Sequence, residues 1–195
     1  GSPAAATGNI VELIQRTGAG TAGNYLLYLS ASGTNVEALK VDDGAVVFDE
    51  TLTVTGACTF SSTVTYKHKT ETVTEANVIA ASESGTVFFL NNATEFASTL
   101  PAPAAGLHFT FIVTGAPAGA DYTITTNAGA NIILGMVVAS TGGDEDSETS
   151  GCDTISFVGG KSTVGDKVDV YCDGTNWFAY GICDATGAIT LTTAA

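Results

Sequence analysis

The sequence predicts an all-β protein: an extended N-terminal arm and an intertwined β shaft, followed by a C-terminal antiparallel β-sandwich or small barrel. Three observations predict it. Thr, Val and Ala are abundant beside 23 glycines, a composition that favours strands and turns over helices. The stretch "VVFDETLTVTGACTFSSTVTY" (46–66) alternates with a two-residue period, and from about residue 71 short apolar segments recur at regular spacing with turn residues between them.

Residues 1–44 form the first region, rich in Gly and Ala with two apolar runs, "NIVELIQ" and "NYLLYL". Neither run is long enough to distinguish helix from strand. The region has too little apolar surface to bury within itself, so it reads as an arm that lies on something else.

Residues 45–70 form the second. At the even positions of 46–66, eight of eleven residues are apolar or aromatic, whereas the odd positions from Asp49 to Thr65 hold Asp, Ala, Ser and Thr. An ordinary strand has ~5–6 residues, so this face is unusually long. Each large apolar side chain left in water forfeits ~1.5–3 kcal/mol, against ~5–15 kcal/mol of net stability for a whole domain. Two solutions cover it. The stretch can fold back as two hairpin strands against the C-terminal domain, with Gly56 and Ser61-Ser62 as turns. Alternatively, identical chains wrap around one another, and threefold wrapping also hides the strand edges. The second solution is the one expected, with Val46, Phe48, Leu52, Val54, Phe60, Val64 and Tyr66 at the trimer interface.

Residues 71–195 form the third. Eight strands are expected in "GTVFFLN", "LHFTFIVTG", "DYTITT", "NIILGMVV", "DTISFVGG", "KVDVYC", "NWFAYGI" and "AITLTT". "LPAPAAG" (100–106) reads as an extended linker, since proline donates nothing to a ladder. Asp173-Gly174 marks a hairpin, because its turn needs residues that tolerate positive φ. Of the aromatics after that turn, most should be core, with Trp177 or Tyr180 free to contact a sugar or a neighbouring subunit if exposed.

Twenty acidic against six basic residues give a net charge of -14. Such a chain repels phosphate backbones, so neither nucleic acid nor an anionic membrane is expected as a partner. No apolar run reaches the ~18–20 residues of a membrane span, and no secretory signal is visible at the N-terminus. Cys58, Cys152, Cys172 and Cys183 form no CxxC pair and no cluster with His68 or His108. Buried free thiols are the default reading, with a bridge between Cys172 and Cys183, or from either to Cys152, left open.

No catalytic constellation is present. There is no GxSxG elbow, HExxH or Walker loop, and "GAGTAG" (18–23) lacks the lysine and βαβ context of a phosphate loop. The chain is therefore expected to be no enzyme and to need no cofactor. The acidic run "GGDEDSETSG" (142–151) offers Asp144, Glu145, Asp146 and Glu148 as hard oxygen ligands suited to calcium. It lacks EF-hand spacing, and such runs are usually solvated loops. Asn92-Ala93-Thr94 fits a glycosylation pattern that has meaning only in a secretory setting. His108, on the face opposite Leu107 and Phe109, should be a surface or interface imidazole. In a trimer, "KHK" (67–69) would form a positive ring paired with Glu71 or Glu75.

"ETLTVTGACTFSSTVTY" resembles the Gly-punctuated β repeats in the shafts of tailed-bacteriophage fibre and head-decoration proteins. The segments "GTVFFLNNATEFASTLPAPAAGLHFTFIV", "YTITTNAGANIILG", "DTISFVGG" and "VDVYCDGTNWFAYG" are similar to a β domain recurrent in such virion proteins. The resemblance spans about 45–183. It implies a non-enzymatic homotrimer on the capsid surface, assembled in the bacterial cytoplasm, with the major capsid protein lattice as partner. On that reading arm residues Ile10, Val11, Leu13, Ile14, Tyr25, Leu26, Leu27 and Leu29 bind the capsid by apolar burial and strand addition. The competing expectation is a receptor-binding tail fibre or a carbohydrate-binding module.

Overall fold

The computed structural model describes residues 52–60, 62–92, 94, 96–141 and 145–193. The chain divides into two compact units, 1–61 and 62–195. In the first, the described residues 52–60 carry no strand, and Leu52, Val54 and Phe60 are exposed.

Among its described residues the second unit has twelve strands. These are β1 (Thr70–Val73), β2 (Asn77–Val78), β3 (Val87–Asn91), β4 (Phe96–Thr99), β5 (His108–Gly115), β6 (Tyr122–Thr125), β7 (Ile133–Thr141), β8 (Glu145–Cys152), β9 (Thr154–Phe157), β10 (Lys167–Cys172), β11 (Trp177–Ala185) and β12 (Ile189–Thr192). They make a seven-stranded sheet in the order β1-β3-β5-β10-β11-β7-β8 and a five-stranded sheet in the order β12-β9-β6-β4-β2. Their apolar faces share one core, a β-sandwich-like arrangement.

All eight expected strands are present. Both sheets, however, are mixed rather than antiparallel. From β1 to β6 the chain alternates between the sheets, so β1, β3 and β5 pair in parallel, as do β2, β4 and β6. A parallel neighbour needs a crossover, and here the opposite sheet supplies it. The expectation of hairpins failed because β2 "NV" and β4 "FAST" are too short and too weakly apolar to announce themselves. Where the sequence carries a true turn signal, the hairpin is there: β10 and β11 pair antiparallel across 173–176. Asp173 Oδ1 accepts the Thr175 and Asn176 amides at 2.8 Å each, and Gly174 sits at φ +106°. Those two bonds, Asn176's first, hold the Asp173 carboxyl below its ordinary range.

The core is aromatic. Phe88 stacks on Phe111 at 5.3 Å, and Phe96 on Tyr122 at 4.4 Å. Tyr122, itself fully buried, uses its hydroxyl to accept the Asn92 amide (2.8 Å) and donate to the Gly115 carbonyl (2.7 Å). One side chain of the five-stranded sheet thus ties down the ends of two strands of the other.

The acidic run is also corrected. Residues 145–152 are strand β8, antiparallel to β7, and not a loop. The Asp146 carboxylate accepts the Leu191 amide at 2.8 Å, linking edge strand β8 to edge strand β12. Carboxylate acceptors on backbone N–H groups make a polar edge strand tenable.

Candidate functional site

The residues expected to carry function fall into three groups. Arm residues Ile10, Val11, Leu13, Ile14, Tyr25, Leu26, Leu27 and Leu29, with Val46 and Phe48 of the shaft, lie outside the described residues. Leu52, Val54, Phe60, Val64 and Tyr66 are described, and all five are exposed, from 49% for Val54 to 73% for Tyr66. The long strand expected over 46–66 is not formed at 52–60 or 62–66. Among the described residues none pairs with them in a hydrogen-bonded ladder, and an unpaired strand has nothing to hold it.

The calcium candidates do not converge. Asp144 and the side chain of Glu145 are outside the described residues. Asp146 is engaged with Leu191, and Glu148 Oε1 accepts the Gly151 amide at 3.0 Å. Among the described residues no three acidic, His or Cys side chains gather in a metal-binding group.

Within the single chain Lys69 pairs with Glu83 at 2.9 Å, and Glu71 adds a weaker attraction. Glu83 is preorganised for it: its other oxygen accepts the Ala80 amide at 2.9 Å, and that bond, ahead of the Lys69 contact, lowers its carboxyl pKa. Asn92 of the glycosylation pattern is occupied by Tyr122 and by the Thr94 amide, which it accepts at 3.1 Å.

All four cysteines are free, Cys58 exposed and the other three buried. Cys172 and Cys183 lie toward opposite ends of the β10–β11 ladder, which excludes a bridge between them. Burial pushes the Cys152 thiol from 9.0 up to about 11, and also raises Cys183. A thiol whose pKa is raised in the folded state stabilises the fold fully below pH 9 and loses that contribution as pH climbs toward 11. At pH 8 a thiol reagent is expected to titrate Cys58 quickly and Cys152, Cys172 and Cys183 only on unfolding. Fast reaction of two or more thiols in the folded protein would contradict this burial.

Two further features escaped the sequence reading. Asp166, only 3% exposed, accepts Ser162 Oγ, the Thr163 amide and the Asp184 amide at 2.8–2.9 Å, and so works as a structural acceptor. A cavity of about 220 Å³ lies beside β7, β8, β11 and β12, lined by Val137, Asp146, Cys183 and Ile189 among others.

The largest feature is the outer face of the seven-stranded sheet. Cross-strand register sets its side chains in rows. One row runs Phe89, Ile112, Lys167, Ile182, Val138 across β3, β5, β10, β11 and β7. The next runs Val87, Thr110, Asp169, Tyr180, Met136, and the third His108, Tyr171, Phe178, Leu134. Ile182 is 66% exposed, Tyr180 52%, and Tyr171, Met136 and Val138 are also exposed. His108 is a surface imidazole as expected, stacked on Tyr171 at 6.2 Å, and Tyr171 meets Tyr180 at 6.4 Å. Trp177, by contrast, is wholly core. Within the face, Lys167 pairs with Asp169 at 2.7 Å, and Asp169 also accepts Thr110 Oγ1 at 2.7 Å. The signal for this face was in the sequence: "VFFL", "ILGMVV" and "WFAYGI" are apolar on both phases of the strand period, where a one-sided strand alternates.

Fold and surface together define an all-β, two-sheeted protein whose exposed features are apolar side chains. No family model matches this sequence, and neither a curated protein nor a solved structure shows significant similarity to it.

Proposed function

We propose that this chain is a non-enzymatic structural virion protein: a capsid decoration, or cement, protein that clamps the shell of a tailed phage as a homotrimer. The reading is supported chiefly by the exposed apolar series Leu52, Val54, Phe60, Val64 and Tyr66. These side chains alternate with Thr and Ser in a sequence that resembles phage shaft repeats, and they need like chains to cover them. The mechanism is mechanical. The arm lies along the capsid lattice, so that opening the shell requires breaking its contacts as well.

Deletion of residues 1–44 is expected to leave the trimer intact and abolish binding to capsids assembled without this protein. Cosedimentation with such capsids measures it. Normal binding by the truncated chain would remove the arm from the reading, and failure of the full chain to bind would remove the decoration role.

Exposed Tyr171 and Tyr180 favour a second reading, a tail-fibre receptor-binding or carbohydrate-binding module. Retention of the full chain on a glycan array, lost in Tyr180→Ser, would establish it in place of the first.

A further inference from the structure

We infer that the open edges of β1 and β2 receive residues 52–60 of a neighbouring copy as an added strand. The inference rests on the homotrimeric reading, and it names the surface that covers the exposed series.

Among the described residues β1 and β2 are the edge strands of their two sheets, and the short crossing 74–76 joins them. Both edges therefore open on the same flank of the sandwich. The opposite flank is tied across, since Asp146 of β8 accepts the Leu191 amide of β12. On the open flank the Lys69 carbonyl accepts the Val87 amide, and the Ile79 amide donates to the Thr99 carbonyl, each at 2.9 Å. Backbone groups alternate sides along a strand, so those of Thr70, Thr72 and Val78 point away from the ladders. An edge presenting such N–H and C=O groups is a template for another strand. Val78, 79% exposed, is the most exposed large apolar side chain among the described residues, and it stands on this flank. Next to it, Asn77 Oδ1 is buried and has no hydrogen-bond partner among the described residues.

The stretch 52–60 has the shape that this flank lacks. It runs straight over Leu52–Val54, bends at Thr55–Gly56 and runs on to Phe60, while the edges run over Glu71–Val73, bend at Glu75 and resume at Asn77. Laid parallel, bend over bend, the stretch sets Val54 beside Val73 and Phe60 beside Ile79. Val73 and Ile79 are core residues, whereas Val54 and Phe60 are exposed in the single chain. The same alignment sets Cys58 beside Asn77, bringing a weak thiol donor to the unpartnered Oδ1. Laid antiparallel about the same bend, Phe60 falls against Glu71 and Val54 against Asn77. Parallel addition is the better fit, and it continues the direction in which β1, β3 and β5 run. The donor is a second copy, because within the chain 52–60 forms no strand and its apolar side chains stay exposed. In a closed trimer each copy gives one stretch and takes one, which leaves neither edge free.

Asn77→Cys in the full-length chain tests the pairing. Neighbouring strands set paired Cα atoms ~4.8 Å apart, within the ~4.4–6.8 Å of a disulfide. After mild oxidation, peptide mapping is expected to find Cys58 bonded to the new thiol at position 77 in species of more than one chain. That bond should be at least tenfold more abundant than the corresponding one in Ser147→Cys, an exposed control position on edge strand β8. A bond confined to single chains, or no more abundant than the control, would overturn the inference. A second measurement uses Thr72→Pro, which removes an outward-pointing amide and is tolerated on an edge strand. With folding checked by circular dichroism, the concentration at which half the protein sediments as a single 19.6 kDa chain should rise at least tenfold. Thr72→Ala should leave it unchanged. If Thr72→Pro does not fold, the disulfide decides alone. A wild type that is oligomeric yet shows neither effect refutes the edge pairing and leaves the homotrimeric reading standing. A wild type of single-chain mass throughout refutes both. A Thr72→Pro protein that keeps its oligomer but loses capsid binding would assign the edge to the capsid protein and overturn the inference.

Discussion

Trp177→Ala is expected to destabilise the protein by about 3–5 kcal/mol, lowering the melting temperature by roughly 6–20 °C for a domain of this size. Trp177 begins β11, where it pairs with Cys172 on β10 and Ile133 on β7, and its ring lies 5.9 Å from that of Phe109 on β5. It has no solvent exposure. Truncation therefore opens a cavity between the central strands of the larger sheet, where collapse would require four strands to move together. The indole Nε1 finds no acceptor among the described residues. An unpaired buried donor already costs stability, so Trp177→Phe, which keeps a ring against Phe109 and removes that donor, is expected to cost less than half as much as alanine. Thermal melts of the two variants check both points. Equal losses would mean that the indole N–H has a partner after all.

Gly135→Ala is expected to cost about 3 kcal/mol or more, although it adds a single methyl group. A Cβ at this position would lie 1.9 Å from the carbonyl oxygen of Ala179 and 2.8 Å from its carbon. Those are backbone atoms of the paired strand β11, so no side-chain rotation relieves the clash. β7 must separate from β11, and the ladder that places Met136 and Val138 beside Tyr180 and Ile182 goes with it. The register of β7 against β8 also shifts between Ile133 and Gly135, which marks a built-in irregularity. Gly119→Ala, with nothing within 4 Å of the added carbon, should change stability by less than about 0.5 kcal/mol. Amide exchange in β7 and β8 should accelerate in Gly135→Ala and not in Gly119→Ala. A Gly135→Ala protein that melts with the wild type would refute the close approach.

Much of the fold was legible in the residues themselves. Alternation in "LHFTFIV" sets Leu107, Phe109, Phe111 and Val113 on one face; the last three are buried, and Leu107, just before β5, is partly buried against them. Asp173-Gly174 announced the hairpin that β10 and β11 make. Short strands with polar residues were not legible: "FAST" and "EDSETSGC" look like loop sequence, and become strands because neighbours offer them ladders. Missing β4 hid the crossing between sheets, and with it the parallel pairing. The Lys69–Glu83 pair was not legible either, since Glu83 comes close through the turn after β2 and not through sequence proximity.

The sequence by itself determined the all-β class, the eight principal strands, the one clear hairpin and an apolar stretch over 46–66 too long for one chain to ignore. These follow from local periodicity and turn chemistry, which act over a few residues. Only the tertiary structure decided which strands are parallel, that Trp177 is core while Tyr180 is surface, and that Ile182, Met136 and Val138 face outward from the larger sheet. Two-sided apolar strands do not reveal which phase meets the core. That is settled only when distant strands come into register and one face is covered by the opposite sheet.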